Sequence, residues 1–510
     1  MELTLPPWAS VLAVVLATFL FLGAVFGRRR RPSMNLPGPK PWPVIGNFNL
    51  LGSLPHRSLN ALSKQYGPLM RVHFGSFPVV VASSVDTAKF FLKTHDAAFI
   101  DRPKMAAGKY TTYNYSNIGC WRQARKLCAD ELLSARRIDA FEHVRREEVR
   151  ALVRDLHASA GRVITLKEHL STTSLNIITR MVLGRKYADK AGVASGGAVK
   201  TWKEFRWMLD ELFLLNGVLN IGDWIPWLAW LDLQGYVRRM KQVGKMFDRF
   251  MENVLEEHDE RRRREGDAFV VKDMVDRLLQ LADDPNLEVK LTRDRVKGFT
   301  QDLIAGGTES AAVIAEWAIS ELLKNPETLA KATEELDRVI GRDRWVTEKD
   351  IPHLPYIETI IKETMRLHIV APMLSPRLSR EETSVNGYTI PAGTIVLVNV
   401  WTIGRDPELW DAPEEFRPER FIGSKIDVKG QDFELLPFGS GRWTCPGYSL
   451  GLKVIQVSLA NLLHGFEWKL PHGVTKEELN MEEIFGLSTP RKFPLQAVAE
   501  PRLAPHLYTA

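Results

Sequence analysis

The chain has 510 residues, 45% of them hydrophobic and 25% charged, which supplies a large core and excludes a disordered or fibrous chain. Its formal charge is +6; residues 1–31, with four Arg and one Glu, carry half of it, so the remainder is nearly neutral and gives no basic footprint for nucleic acid. Three cysteines (Cys120, Cys128 and Cys445) without a Cys-x-x-Cys pair exclude a disulfide framework and fit a reducing compartment. From Trp8 to Gly27 no residue is charged, and about 20 such residues suffice to cross a bilayer. Arg28-Arg29-Arg30-Arg31 follows and only Glu2 precedes, so the positive-inside rule leaves the chain beyond Arg31 in the cytosol. A cleaved signal peptide wants its positive charge ahead of the apolar run. Residues 1–31 therefore read as a retained single-pass signal anchor of the endoplasmic reticulum, with the membrane helix at about 8–27.

Residues 32–47 read as a stiff connector, because four prolines between Leu36 and Pro43 bar a helix. Residues 48–510 then read as one large domain. Leu69–Phe74 and Pro78–Ala82 have strand character and are broken by Gly75-Ser76. Beyond Val85 the chain has mostly helical period, interrupted by a glycine-rich loop at 192–197. Trp224, Trp227 and Trp230 recur at three-residue spacing around Pro226; such a cluster packs in a core or rests at a lipid interface. The charged stretch 256–267, with Arg261 to Arg264 flanked by acids, reads as a solvated loop.

A long helix is expected from about Thr292 to Asn325. It is apolar nearly all round at its centre and so buried, and Pro326 ends it. In its middle Ala305-Gly306-Gly307-Thr308-Glu309-Ser310 places two helix-weakening glycines before an acid and an alcohol. Glu363 and Arg366, at i and i+3, share a helix face. Strands return at 385–390 and 394–400, with Asn386-Gly387 as a turn dipeptide. The fold class is mostly α with small β-sheets near each end, an α+β domain.

The run Pro437-Phe438-Gly439-Ser440-Gly441-Arg442-Trp443-Thr444-Cys445-Pro446-Gly447 carries the chemistry. A lone cysteine does not make a structural zinc site, which wants four ligands. It does suffice as the one protein thiolate on a haem iron. The loop resembles the haem-binding signature of the cytochrome P-450 superfamily, Phe-x-x-Gly-x-Arg-x-Cys-x-Gly. Phe438, Gly441, Cys445 and Gly447 match, and Trp443 stands where the family usually has Arg; Arg442 is the neighbouring base. Trp121 and Arg125 resemble the family's W-x-x-x-R helix, and Phe416-Arg417-Pro418-Glu419-Arg420-Phe421 its meander motif. The resemblance covers nearly the whole chain.

That resemblance implies a prism-shaped haem-thiolate monooxygenase fold behind a membrane anchor. The cofactor is haem b, with Cys445 as axial ligand of the iron and Trp121, Arg125, Arg377, Phe438, Gly441 and Arg442 as its cradle. Glu309 and Ser310 become a proton relay in an oxygen-activation groove; the family usually has threonine after the acid. Glu363, Arg366 and Arg420 become a buried structural triad. Val370, Met373, Leu374 and Leu487 would touch substrate. Implied partners are an NADPH-dependent flavoprotein reductase carrying FAD and FMN, the lipid bilayer, O2 and a small apolar substrate.

Within the family, Thr308-Glu309-Ser310 and Met481-Glu482-Glu483-Ile484-Phe485-Gly486-Leu487 resemble a plant microsomal branch that includes grass homoterpene synthases. Oxidative C–C cleavage of nerolidol or geranyllinalool is the activity this implies. A flavonoid B-ring hydroxylase is the alternative, and a non-catalytic haem-binding protein is the alternative of another class.

Overall fold

The computed structural model describes residues 8, 11–12, 14–18, 34–115, 121–187, 202–287 and 289–509, apart from the side chains of residues 121, 122 and 202. The expected membrane helix at 8–27 lies largely outside them. Among the described residues no helix is long and apolar enough to cross a membrane. The loop at 192–197 also lies outside.

The described chain packs as two compact units. The first comprises the residues up to Pro103, Asn220–Gln234 and Met373–Thr402. The second comprises Lys104–Leu219, Gly235–Pro372 and Ile403–Ala510. Neither is contiguous, so no linker composition marks the division. In chain order the strands are Leu69–Phe74 (β1), Phe77–Ala82 (β2), Val163–Thr165 (β3), Arg377–Leu378 (β4), Thr383–Val385 (β5), Tyr388–Ile390 (β6), Ile395–Val398 (β7), Phe466–Lys469 (β8) and Gln496–Pro501 (β9). The helices of seven residues or more are Pro55–Tyr66 (α1), Trp121–Leu127 (α2), Glu142–Ala158 (α3), Leu166–Leu183 (α4), Trp202–Gly217 (α5), Tyr236–Glu265 (α6), Met274–Ala282 (α7), Arg293–Thr308 (α8), Ser310–Lys324 (α9), Pro326–Ile340 (α10), Pro355–Leu367 (α11) and Tyr448–Gly465 (α12).

The first unit is built on a sheet of order β1-β2-β7-β4. β1 and β2 pair antiparallel with Leu69 opposite Ala82, and β7 lies parallel to β2. Their turn needs Gly75: its φ is +53°, and a Cβ there would stand 2.4 Å from the Trp224 carbonyl oxygen. Trp224 is core, edge-on to Phe74 at 5.1 Å, whereas Trp227 and Trp230 point outward. The dipeptide Asn386-Gly387 joins β5 to β6 with both φ angles positive, 50° and 78°, as a type I′ turn demands. The strand expected to Val400 ends at Val398, because Asn399 turns its side-chain amide onto the His56 carbonyl at 2.8 Å.

The second unit is the helical body, with the small sheet β3-β9-β8 at its side. α9 is buried on every face, as its composition demands: each residue from Ala311 to Leu323 is inside. Asp273 caps α7 by accepting from the Asp276 N–H at 2.8 Å, and Thr292 caps α8. The charged stretch expected as a loop is instead the end of α6. Its buried residues Met251, Val254, Leu255 and His258 hold an i, i+3, i+4, i+7 stripe against the core, and the arginines reach across to α7. Arg261 pairs with Asp276, and Arg262 with Asp283 at 2.5 Å.

Candidate active site

The loop before α12 is wound so that one sulfur is offered and little else. The Cys445 N–H donates to the Phe438 carbonyl at 2.9 Å and closes the loop. Gly439 and Gly441 both take positive φ, 68° and 69°. Ser440 anchors it from below through its hydroxyl on the Gly430 carbonyl at 2.6 Å. Gly430 is needed there, since a Cβ would stand 2.5 Å from the Gly439 oxygen. Arg125, from α2, donates to the Thr444 carbonyl at 2.5 Å and so reaches the residue beside the cysteine. Trp121 lies one turn earlier on that helix; its side chain is outside the described residues. Phe438 and Gly441 are half-buried in the loop, Trp443 likewise, and Arg442 is exposed.

Burial pushes the Cys445 thiol up, and the Gly447 N–H and the Arg125 guanidinium act in the opposite sense by favouring the thiolate. Such a sulfur ionises when a metal takes it, because coordination removes the proton outright. Among the described residues only His258, Asp273 and Asp276 group closely enough to share an ion, and Cys445 is not in that set. One thiolate with supporting donors and no companion ligands among the described residues fits a haem iron, which takes its nitrogen ligands from the porphyrin.

In the first unit Arg377, in β4, is almost wholly buried, and burial lowers its pKa to about 10. Nearby Arg102 donates to the Ser375 and Pro376 carbonyls at 2.6 Å each. Burial and then the Arg377 charge bring Arg102 down to about 9. A buried and a half-buried guanidinium in repulsion suit an anionic group such as a haem propionate. Sequence reasoning missed Arg102: a single Arg before Pro103 carries no signal of its own.

The expected long helix is interrupted between α8 and α9. Glu309 sits at the break with φ −105° and ψ −36°. The two glycines do different things. A Cβ on Gly307 would stand 2.6 Å from Ile178 of α4, so Gly307 permits helix packing. A Cβ on Gly306 would meet nothing within 4 Å. Asp302 and Gly306, one turn apart, are exposed on a helix whose Ile304 and Thr308 are buried, and Ser310 is half-buried a further turn on. This stripe is an open groove in an otherwise packed helix. The Thr308 hydroxyl bonds the Ile304 carbonyl at 2.5 Å, and the Ser310 hydroxyl bonds the Gly306 carbonyl at 3.0 Å across the break. The groove and the thiolate loop meet around Cys128: burial first, then the Asp302 charge, raise that thiol to about 12, with Cys445 adding to the rise.

Glu363, Arg366 and Arg420 converge. Glu363 accepts from Arg366 at 2.7 and 2.8 Å and from Arg420 Nε at 3.0 Å, with Glu363 and Arg366 buried and Arg420 half-buried. Arg366 also donates to the Gly404 and Pro413 carbonyls, so α11 is stitched to the segment that leads to the cysteine loop. Val370, in the second unit, is half-buried against the helical core. Leu487 is exposed beside the end of α5, where a Cβ on Gly217 would stand 2.2 Å from the Leu487 nitrogen. Met373 and Leu374 are half-buried in the first unit, Leu374 with φ +47°.

Comparison with known proteins agrees along the whole chain. The cytochrome P450 family model matches residues 36–495. Trimethyltridecatetraene synthase of Zea mays is 52% identical over 98% of this chain and 95% of that protein. Dimethylnonatriene synthase of the same plant is 50% identical over 98% of both. Flavonoid 3'-monooxygenase of Petunia hybrida is 42% identical over 98% of both. A solved structure of a zebra fish cytochrome P450 with abiraterone has the same fold, with a TM-score of 0.73 and 25% identity over 88% of this chain and 100% of that one. A family match of that extent, over a chain that offers one supported thiolate beneath a grooved helix, makes this protein a member of the cytochrome P450 family and a haem-thiolate monooxygenase.

Proposed function

We propose that this monooxygenase cleaves a C–C bond of an unsaturated terpene alcohol, nerolidol or geranyllinalool, to give a homoterpene. The observation that carries the reading is the likeness to two homoterpene synthases, 52% and 50% identical over 98% of this chain, against 42% to flavonoid 3'-monooxygenases. Haem, when bound, supplies the redox chemistry on dioxygen. The protein's part is to hold it and to manage one proton and one apolar guest. Cys445 Sγ would hold the iron, and Arg125, Trp121, Arg442 and Arg377 would meet the porphyrin's carboxylates along with Arg102. Phe438 and Gly441 give the macrocycle its close floor. Glu309 and Ser310 pass a proton across the helix break, and the groove at Gly306 leaves room for the oxidant. Val370, Met373, Leu374 and Leu487 line the substrate side and exclude water. Electrons come from NADPH through a flavoprotein reductase, at the endoplasmic reticulum membrane, to which residues 8–27 anchor a cytosolic catalytic body.

The test is expression with reductase in microsomes, feeding nerolidol, geranyllinalool and flavonoids and reading products by mass spectrometry. A shortened homoterpene from either alcohol is the expected result. A hydroxylated flavonoid with no homoterpene would put the protein with its 42%-identical relatives instead.

A further inference from the structure

The acid and the alcohol at the helix break do not bond each other. Ser310 is turned onto the Gly306 carbonyl at 3.0 Å. Glu309 is held elsewhere: one carboxylate oxygen accepts from the Ser488 hydroxyl at 2.8 Å, and the other faces the Lys167 ammonium at 3.5 Å. Lys167 is the second residue of α4, and Ser488 lies in the carboxyl-terminal loop, 179 residues from its partner. That loop is fixed along α9 at two further points. The Trp317 indole N–H donates to the Thr489 carbonyl at 3.2 Å, and the Leu495 N–H donates to Glu316 at 2.8 Å. Ser488 is buried, whereas Lys167 and Glu309 keep about a fifth of their side-chain surface in water. Asp210 of α5, exposed and paired with Arg206 at 3.2 Å, adds a further negative charge near Lys167 and Glu309.

We infer that Ser488 and Lys167 are positioning residues that hold the Glu309 carboxylate at the wet side of the helix break. There it takes a proton from solvent; released from Ser488, it passes that proton inward to Ser310. The hydroxyl fixes one carboxylate oxygen by a charge-assisted hydrogen bond, and the ammonium orients the other between deliveries. The carboxyl-terminal loop, which also carries Leu487 toward the end of α5, thereby couples its own placement to proton supply. This rests on the monooxygenase reading of Glu309 and Ser310.

The experiment compares Ser488→Thr with Ser488→Val in the full-length holoenzyme; the two side chains match in volume and differ by the hydroxyl. Carbodiimide treatment joins a carboxylate to an amine in contact with it, and peptide mass spectrometry reads the Lys167–Glu309 amide without any turnover. The wild type and Ser488→Thr should give this cross-link, and Ser488→Val should give at least threefold less. In turnover with reductase, Ser488→Val should release several-fold more peroxide per NADPH with KM unchanged, and Ser488→Thr should couple like the wild type. Equal cross-link yield and equal coupling in both variants overturn the assignment, as does a wild type that gives no cross-link. Failure of the monooxygenase reading is a different outcome: no product from the wild type with any substrate, while the cross-link pattern is still read.

Discussion

At the scale of single residues, Cys445 is demanding because its sulfur is asked to do one thing in a surrounding made for it. The Gly447 N–H and Arg125 favour the thiolate, while burial resists it. Cys445→Ser keeps the backbone bond from residue 445 to Phe438, so the loop closes as before. The ferrous–CO complex of that variant should lose the strongly red-shifted Soret band and monooxygenase turnover should fall to background, while circular dichroism stays unchanged. A variant that keeps both band and product would remove Cys445 from the iron. This residue was legible in the sequence because its chemistry needs a local run of glycines at fixed spacing. Lys167 and Ser488 were not, although they touch Glu309, because nothing local links residue 309 to one residue 142 positions earlier and another 179 later. Trp443 shows the same limit from the other side. Its departure from the family pattern is plain in the sequence, but Arg102, a half-buried guanidinium beside buried Arg377, has no pattern to depart from.

At the scale of elements, the kinked helix shows what a pattern conveys and what it leaves open. Glycines beside an acid foretold a weak point, and the break falls there. Which glycine opens the groove and which lets α4 approach is a matter of packing, visible only from what a Cβ would meet. Gly306→Ala meets nothing and gains helix propensity, so it should stabilise by roughly 0.5–1 kcal/mol while narrowing the groove and slowing turnover. Gly307→Ala drives a methyl into Ile178 and should destabilise by about 1–3 kcal/mol. Thermal unfolding of the two holoproteins checks the opposite signs; two shifts in the same direction would contradict this division of roles.

The end of α6 is a second case. Its charge density suggested a loop, and the stripe through Val254 and His258 made it a helix. His258 is buried there, with Nε2 3.1 Å from Asp273 and Nδ1 2.7 Å from the Val254 carbonyl, so both ring nitrogens face acceptors and only the imidazolium satisfies both. Burial alone would lower its pKa, but Asp273, with Val254 and Asp276, raises it above the usual histidine value. Arg261 is the other charge at this junction of α6 and α7. A raised folded pKa means stability that is fully present below about pH 6.5 and lost as pH rises through the folded value. The wild type should therefore lose stability over that window relative to His258→Gln, whose titration there is gone. Parallel pH profiles of the melting temperature for the two proteins would show that His258 is not the group.

At the scale of the whole molecule, both units are assembled from segments far apart in sequence, and the first draws residues 220–234 to its sheet. That short insertion is two-faced. Trp224 and Ile225 are buried, and Trp224 packs on Phe74 and Phe48. Trp227, Trp230, Leu231 and Leu233 stand 37%, 80%, 42% and 60% exposed over a stretch of seven residues. A core role accounts for the first tryptophan and leaves the others paying a hydration cost in water. Seating four such side chains in a lipid interface is worth roughly 3–6 kcal/mol, comparable to a single acyl chain and reversible. Protein lacking residues 1–31 should accordingly still bind neutral phosphatidylcholine vesicles in flotation assays, and binding should resist high salt because the contact is apolar. Trp230→Ser combined with Leu233→Ser should lower the bound fraction by about tenfold with the ferrous–CO spectrum unchanged. Truncated protein that stays wholly in the aqueous fraction, or a double variant that floats like its parent, would show that this patch does not seat in lipid.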